Sequence, residues 1–197
     1  ASSSFTIVPA PVIPSISSIN PNSVIRGATG TFTIFGSNFV SNAQVFIGAV
    51  QVQNPTINSS QISFTLTSQW AQIANGSNNV TVVQNAQTSN AVTLAVNSSP
   101  ALAGITPPSP LLYGYPNDIT LNGTNLAIPL QINMGALSLT PSSVTGTTAS
   151  FQLNASQWAQ LGVGPEQVSI TMGSSPFQVN SNALSISIDP QQPGINS

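Results

Sequence analysis

The chain alternates apolar and polar side chains in short runs, and Gly, Asn, Pro or Ser breaks each run after a few residues. "TFTIF" at 31–35, "AQVFI" at 43–47, "QISFTL" at 61–66, "NVTVV" at 79–83 and "AVTLAV" at 91–96 all set apolar residues at every second position. A period of two belongs to a strand with one buried face, and the β-branched and aromatic residues in these runs suit a pleated surface. The gaps between runs leave no room for helical crossovers, so the pattern predicts an antiparallel sandwich rather than a parallel sheet. One stretch departs from the period. "SQWAQIA" at 68–74 reads as one turn of helix, with Ser68 as its N-cap.

The same order of motifs then returns. "SINP" at 18–21 is echoed by "GITP" at 104–107, "FGSNF" at 35–39 by "NGTNL" at 122–126, and "SFTL" at 63–66 by "SFQL" at 150–153. "SQWAQ" at 68–72 recurs unchanged at 156–160, with Ser156 as the matching N-cap, and "SNAVTL" at 89–94 becomes "SNALSI" at 181–186. The offsets run from 86 to 92 residues, too long for a solenoid repeat and right for a duplicated small domain. The predicted fold is all-β: two tandem immunoglobulin-like sandwiches at 14–97 and 98–189, an N-terminal arm at 1–13 and a C-terminal tail at 190–197. Trp70 and Trp158 occupy one internal position in both copies and are expected to plug the end of each sandwich. The functional alternative for a repeated Trp is a sugar-stacking platform.

Charge changes the picture by its absence. Charged residues make up 2% of the chain: three acids and one Arg, with no Lys, His or Cys. Arg26 alone cannot neutralise a nucleic-acid backbone or form a polybasic membrane face. The lack of Cys excludes disulfides and most zinc sites. A hydrolase triad has no base here. Asp118 in "YPNDIT" and Glu166 after "GVGP" are the remaining candidates for a carboxylate pair, though both read as ordinary turn residues. Asp118 and Asp189 are the candidates for a calcium site, which would lean on backbone carbonyls. No catalytic residue, metal or cofactor is expected, and the chain is read as a non-enzyme. No apolar run approaches the roughly 20 residues of a membrane-spanning helix. A start at Ala1 rather than Met fits a secreted product whose leader has been removed. With so few ionisable groups to link folding to protons, the melting temperature is expected to stay nearly flat between about pH 2 and pH 8. A calorimetric scan across that range checks this, and a steep acid collapse would refute it.

The motifs resemble those of a known family. Pro14, Ile16, Ile19 and Pro21, then Gly36, Asn38 and Phe39, then Ser89 and Asn90 in the closing strand are similar to the IPT/TIG module. That resemblance implies an immunoglobulin-like sandwich of the kind found in bacterial surface proteins, plexin-type receptors and some transcription factors. The second copy is looser: Gly123 and Asn125 hold, but Leu126 replaces the aromatic. The family brings no catalytic residues with it, and the basic loops of its DNA-binding members are missing here. The glycines Gly36 and Gly123 are expected to permit a tight turn.

The arm, "ASSSFTIVPAPVI", carries a strand-like run at Phe5, Thr6, Ile7 and Val8 before its prolines prevent further pairing. One account is an ordinary terminal tail. The other is a donor strand, with Phe5 and Ile7 filling a neighbour's groove and Thr6 turned outward. A soluble monomer usually charges its edge strands, and this chain does not. The expected function is therefore a structural subunit of an extracellular filament or surface assembly, polymerising with copies of itself by strand addition. The alternative is a non-catalytic spacer or carbohydrate-binding module of a larger secreted or cell-surface protein, touching polysaccharide through Tyr113 and Tyr115. Six Asn-x-Ser/Thr sequons, at Asn58, Asn75, Asn79, Asn97, Asn122 and Asn154, are candidates for N-glycosylation. With 20 Asn and 48 Ser or Thr, chance gives 20 × 48/197, about five, so six is no enrichment.

Overall fold

The computed structural model describes residues 12–115 and 118–191. It divides into two compact units, one with residues up to Val24 and Thr29–Asn97, the other with Ile25–Ala28 and the chain from Ser98. Ten strands fall before the middle of the chain: β1 (Ser15–Asn20), β2 (Ser23–Ile25), β3 (Thr31–Ser37), β4 (Gln44–Ile47), β5 (Val50–Gln51), β6 (Thr56–Ile57), β7 (Gln61–Thr65), β8 (Gly76–Gln84), β9 (Gln87–Thr88) and β10 (Val92–Asn97). Ten more follow: β11 (Ala101–Thr106), β12 (Leu111–Leu112), β13 (Ile119–Thr124), β14 (Leu130–Met134), β15 (Leu137–Leu139), β16 (Ser143–Val144), β17 (Thr148–Phe151), β18 (Gly164–Met172), β19 (Val179–Asn180) and β20 (Leu184–Asp189).

Each set builds a four-stranded sheet facing a six-stranded one. The first orders are β1-β3-β7-β6 and β2-β10-β8-β4-β5, with β9 on β8; adding ten to every number gives the second. The duplication read from the sequence is thus reproduced strand for strand. The alternation decides the packing. Phe32, Ile34, Val45, Ile47, Ile62, Val80, Val82 and Leu94 point inward and are essentially inaccessible, as are Leu121, Ile132, Met134, Val168, Ile170 and Ile188 in the second unit. Phe32 and Phe64 face each other across β3 and β7 with ring centroids 5.3 Å apart, and Trp70 lies 6.3 Å from Phe32. Burying each such ring contributes about 2–3 kcal/mol.

The residues that the two copies share are spent on fastening the first strand of each sandwich. In β1 the register against β3 slips between Ile16 and Ser18; in β11 it slips against β13 between Leu102 and Gly104. At each slip one Asn of the closing segment repairs the ladder. The Ile16 N–H donates to Asn90 Oδ1 and Asn90 Nδ2 donates to the Ile16 carbonyl, both at 2.8 Å. Asn182 does the same for Leu102, at 2.8 and 2.9 Å. The neighbouring Ser89 and Ser181 hydroxyls accept from the N–H of Val82 and Ile170 and donate to the carbonyls of Asn90 and Asn182. Asn38 and Asn125 hold left-handed backbone, with φ of 63° and 58°, which Asn tolerates better than most residues. Their side-chain amides reach back to the carbonyls of Ile13 and Ser99, two residues ahead of β1 and β11.

Gly36 and Gly123 lie opposite the slipped residues, Ile16 and Leu102. A Cβ on Gly36 would run into the Ser15 carbonyl and the Phe39 ring, and one on Gly123 into the Ala101 carbonyl. Neither glycine is among the residues with positive φ. Close strand approach, rather than the tight turn expected from the sequence, is what requires them.

The helical segments also correct the sequence reading. The first is a 3₁₀ turn, Ser68–Ala71, whose N-cap is Thr67; the second is α1, Ala155–Leu161, capped by Asn154. Ser68 and Ser156 therefore lie inside their helices and cap neither. The copies differ here by one residue: five positions separate Leu153 from Trp158 but four separate Leu66 from Trp70. The insertion lets Asn154 and Gln157 close a capping box, with the Asn154 side chain accepting from the Gln157 N–H at 2.9 Å and Gln157 Oε1 accepting from the Asn154 N–H at 2.8 Å. In the first copy Gln69 alone turns back, its Oε1 accepting from the Thr67 N–H at 3.0 Å.

Candidate binding surface

Once the shared residues are assigned to the fold, the positions at which the two copies differ stand out. Strand register pairs them without ambiguity. Phe46 faces Thr81 and Gln51 in the first unit, while Asn133 faces Ser169 and Ser138 in the second. Val83 faces Gln44 and Thr88, while Thr171 faces Gln131 and Asn180. The second unit has therefore replaced Phe46 and Val83 by Asn133 and Thr171 on the outer face of its larger sheet.

Those replacements are wired together. Ser138 Oγ donates to Asn133 Oδ1 at 3.5 Å, Asn133 Nδ2 to Thr171 Oγ1 at 2.8 Å, and Thr171 Oγ1 to Asn180 Oδ1 at 2.8 Å. The chain of bonds crosses four strands, β15, β14, β18 and β19, and contains no ionisable group. Thr171 also borders a concavity of about 200 Å³ shared with Pro129, Gln131, Thr140 and Gln178. Gln131, Thr140, Asn180 and Gln178 are exposed, so their spare donors and acceptors face outward. Each internal hydrogen bond fixes one amide or hydroxyl rotor in advance, which lowers the entropy lost when a ligand is held. The sequence reading missed this surface. The signal was available in the paired copies, where two apolar outward positions turn polar together.

A second concavity, of about 300 Å³, is lined by Pro107, Pro108, Pro110, Leu111, Leu112, Tyr115, Ile119 and Trp158. Here too the copies differ. Ile119 stands where Phe32 fills the first unit, each facing a Phe across its sheet. Tyr115 lies four residues before Ile119 and is 51% exposed; Ala28, four before Phe32, is fully buried. The two tyrosines expected to touch polysaccharide differ in exposure. Tyr115 presents its ring to solvent, whereas Tyr113 is half-buried with its ring centroid 5.9 Å from that of Trp158. Trp158 is 3% exposed and Trp70 7%, so neither indole offers a face for stacking. Trp158 Nε1 is buried and has no hydrogen-bond partner among the described residues.

The remaining candidates are dispersed. Asp118 accepts from Gln152 Nε2 at 2.6 Å, and Asp189 accepts from Ser187 Oγ at 3.1 Å. Glu166 belongs to β18 of the larger sheet and sits beside Gly135, while Asp118 precedes β13 of the smaller one. Among the described residues no group of three or more His, Cys, Asp or Glu could hold a metal ion, and no helix is long and apolar enough to cross a membrane. Of the sequon residues, Asn58, Asn75, Asn79, Asn97 and Asn154 are exposed, and Asn122 is half-buried. Asn58 and Asn154 spend their carbonyl oxygens on local turns, and Asn97 and Asn122 donate their amides to Ser23 and Thr106. The donor-strand residues Phe5, Thr6, Ile7 and Val8 lie outside the described residues.

The family model for the IPT/TIG domain matches residues 14–96. No curated protein matches the chain. Among solved structures, the chain is similar to the plexin A4 extracellular region, at 15% identity and a TM-score of 0.45 over 89% of this chain and 16% of that one. It is similar to SGBP-B from a complex xyloglucan utilization locus in Bacteroides uniformis, at 16% identity and a TM-score of 0.36 over 90% of this chain and 50% of that one. It is also similar to the titin Ig tandem A164–A165, at 10% identity and a TM-score of 0.29 over 91% and 99% of the two chains. The chain spans less than a fifth of the plexin chains it matches. The family match is confined to residues 14–96, and the chain as a whole is two tandem immunoglobulin-like sandwiches that share one strand order.

Proposed function

We propose that the chain is a non-catalytic, extracellular spacer and carbohydrate-binding module of a larger surface or secreted protein, and that the second unit makes the contact. The observation that carries this reading is the uncharged ladder Ser138–Asn133–Thr171–Asn180 beside the Gln131 and Gln178 concavity. Fixed amides and hydroxyls on a flat face match the hydroxyls of a polysaccharide, and the lack of ionisable groups selects a neutral one. The first unit, with Phe46 and Val83 at the same positions, serves as spacer.

Affinity electrophoresis of the whole chain through gels containing neutral plant or microbial polysaccharides tests this. Retardation by at least one of them is expected, and N133A/T171V should lose about 1–3 kcal/mol of binding, roughly 5- to 150-fold. Because these side chains point outward, the same variant should melt within a few degrees of the parent. Equal retardation of variant and parent would contradict the assignment. A second reading, self-assembly through the N-terminal arm into a filament or surface layer, is favoured by a separate feature of the same unit: its apolar pocket.

A further inference from the structure

We propose that the apolar pocket of the second unit seats the N-terminal arm of another copy of this chain. Two of its lining residues differ from their counterparts in the first copy: Ile119 is smaller than Phe32, and Tyr115 is exposed where Ala28 is buried. Its accessible walls are Leu112, 46% exposed, Tyr115, 51% exposed, and the exposed prolines Pro107, Pro108 and Pro110. Among the described residues only two polar side-chain groups belong to the lining, the Tyr115 hydroxyl and the buried Trp158 N–H. A polyol would find few partners there, while an apolar side chain would lose nothing on entering.

Size and shape narrow the occupant. A cavity of roughly 150 Å³ accommodates benzene, so one of about 300 Å³ has room for a phenyl ring together with an aliphatic side chain. The arm's sequence supplies that pair two residues apart, Phe5 and Ile7, which a strand would set on one face. Among the described residues β12 is the terminal strand of its sheet, paired on one side with β20 through Leu111 and Leu112, and both residues line the pocket. An incoming strand can hydrogen-bond there while its side chains fill the pocket. Charge agrees as well. The arm has no ionisable side chain, and the lining contains no Asp, Glu, Lys, Arg or His. Eleven residues precede Val12, a reach of about 36 Å when extended. A net charge of −2 over 197 residues offers little repulsion between copies. This inference is independent of the carbohydrate reading, which uses a different surface.

Sedimentation velocity of the full chain over a range of concentrations, beside a chain lacking residues 1–8 and the I119F variant, provides the test. The full chain should associate as its concentration rises, and the other two should remain monomers. A synthetic peptide of residues 1–13 should bind the shortened chain in calorimetry, and I119F, which copies Phe32, should weaken that binding about tenfold or more. Should I119F fail to fold, L112Q at an exposed position takes its place, with the same expected loss. Association of the shortened chain as strong as that of the full one would overturn the proposal. So would a full chain that stays monomeric, which would mean that any peptide binding reflects an arm seated in its own molecule. Unchanged peptide affinity in both variants would overturn it too.

Discussion

Gly36→Ala lowers the stability of the first sandwich by about 3 kcal/mol or more, or prevents its folding. The added methyl would meet two groups at once, the Ser15 carbonyl and the ring of Phe39. Neither can yield cheaply. The carbonyl belongs to a strand pinned by Asn90 and by the β3 ladder, and Phe39 is itself buried. Overpacking costs about 1–3 kcal/mol when a flexible side chain can move aside, and a backbone obstacle places this case at or above the top of that range. Gly146→Ala is the control. No atom lies within 4 Å of its added carbon, and its stability should change by about 0.5 kcal/mol at most. Urea unfolding followed by far-ultraviolet circular dichroism measures both. A Gly36→Ala chain with the parent's midpoint would show that the strands can separate at the slip, contrary to the packing described.

Asn90→Ala should be nearly as damaging through a different mechanism. The substitution removes two hydrogen bonds of 2.8 Å and leaves the N–H and carbonyl of Ile16, a buried residue, without their partner. Each orphaned backbone group costs about 1–3 kcal/mol, so a loss of roughly 2–6 kcal/mol is expected for the two. In a unit of this size that lowers the melting temperature by roughly 10 °C or more. Asn90→Asp separates the two bonds, because a carboxylate keeps the acceptor and loses the donor; its loss should fall between those of parent and Ala. Asn182→Ala should repeat the result in the second sandwich, where Asn182 holds Leu102. A change in melting temperature below about 2 °C for both Ala variants would mean that the Asn clamps are incidental.

These two predictions also mark what the sequence makes legible. Strands such as Thr31–Ser37 announce themselves because one face must be buried, and the period of two survives in both copies. The Gly, Asn and Ser-Asn motifs are visible as repeated letters, yet their purpose is not. Asn90 and Ile16 are 74 residues apart, and Asn182 and Leu102 are 80 apart, distances at which no local rule operates. Helix capping fails for a local reason: Ser68 and Ser156 look suitable, but the first helix starts one residue earlier, after Thr67, and an extra residue ahead of Trp158 hands the second cap to Asn154. The outward ladder is hidden for the opposite reason. Asn133 and Thr171 are unremarkable on a surface made almost wholly of Ser, Thr, Asn and Gln, and only their pairing with Phe46 and Val83 sets them apart. The apolar pocket brings Ile119, Trp158 and the proline segment to one concavity, which no periodicity encodes.

The account as a whole holds that residues shared by the two copies maintain the sandwiches, and that residues changed in the second copy meet the ligand. Nuclear magnetic resonance of the isotopically labelled full chain, titrated with a neutral oligosaccharide from whichever polysaccharide retards it, tests that division residue by residue. Shifts are expected to concentrate at Gln131, Asn133, Thr171, Gln178 and Asn180, with Phe46 and Val83 unmoved. Shifts centred on the first unit, or none on the outer face of the second at saturating sugar, would contradict it.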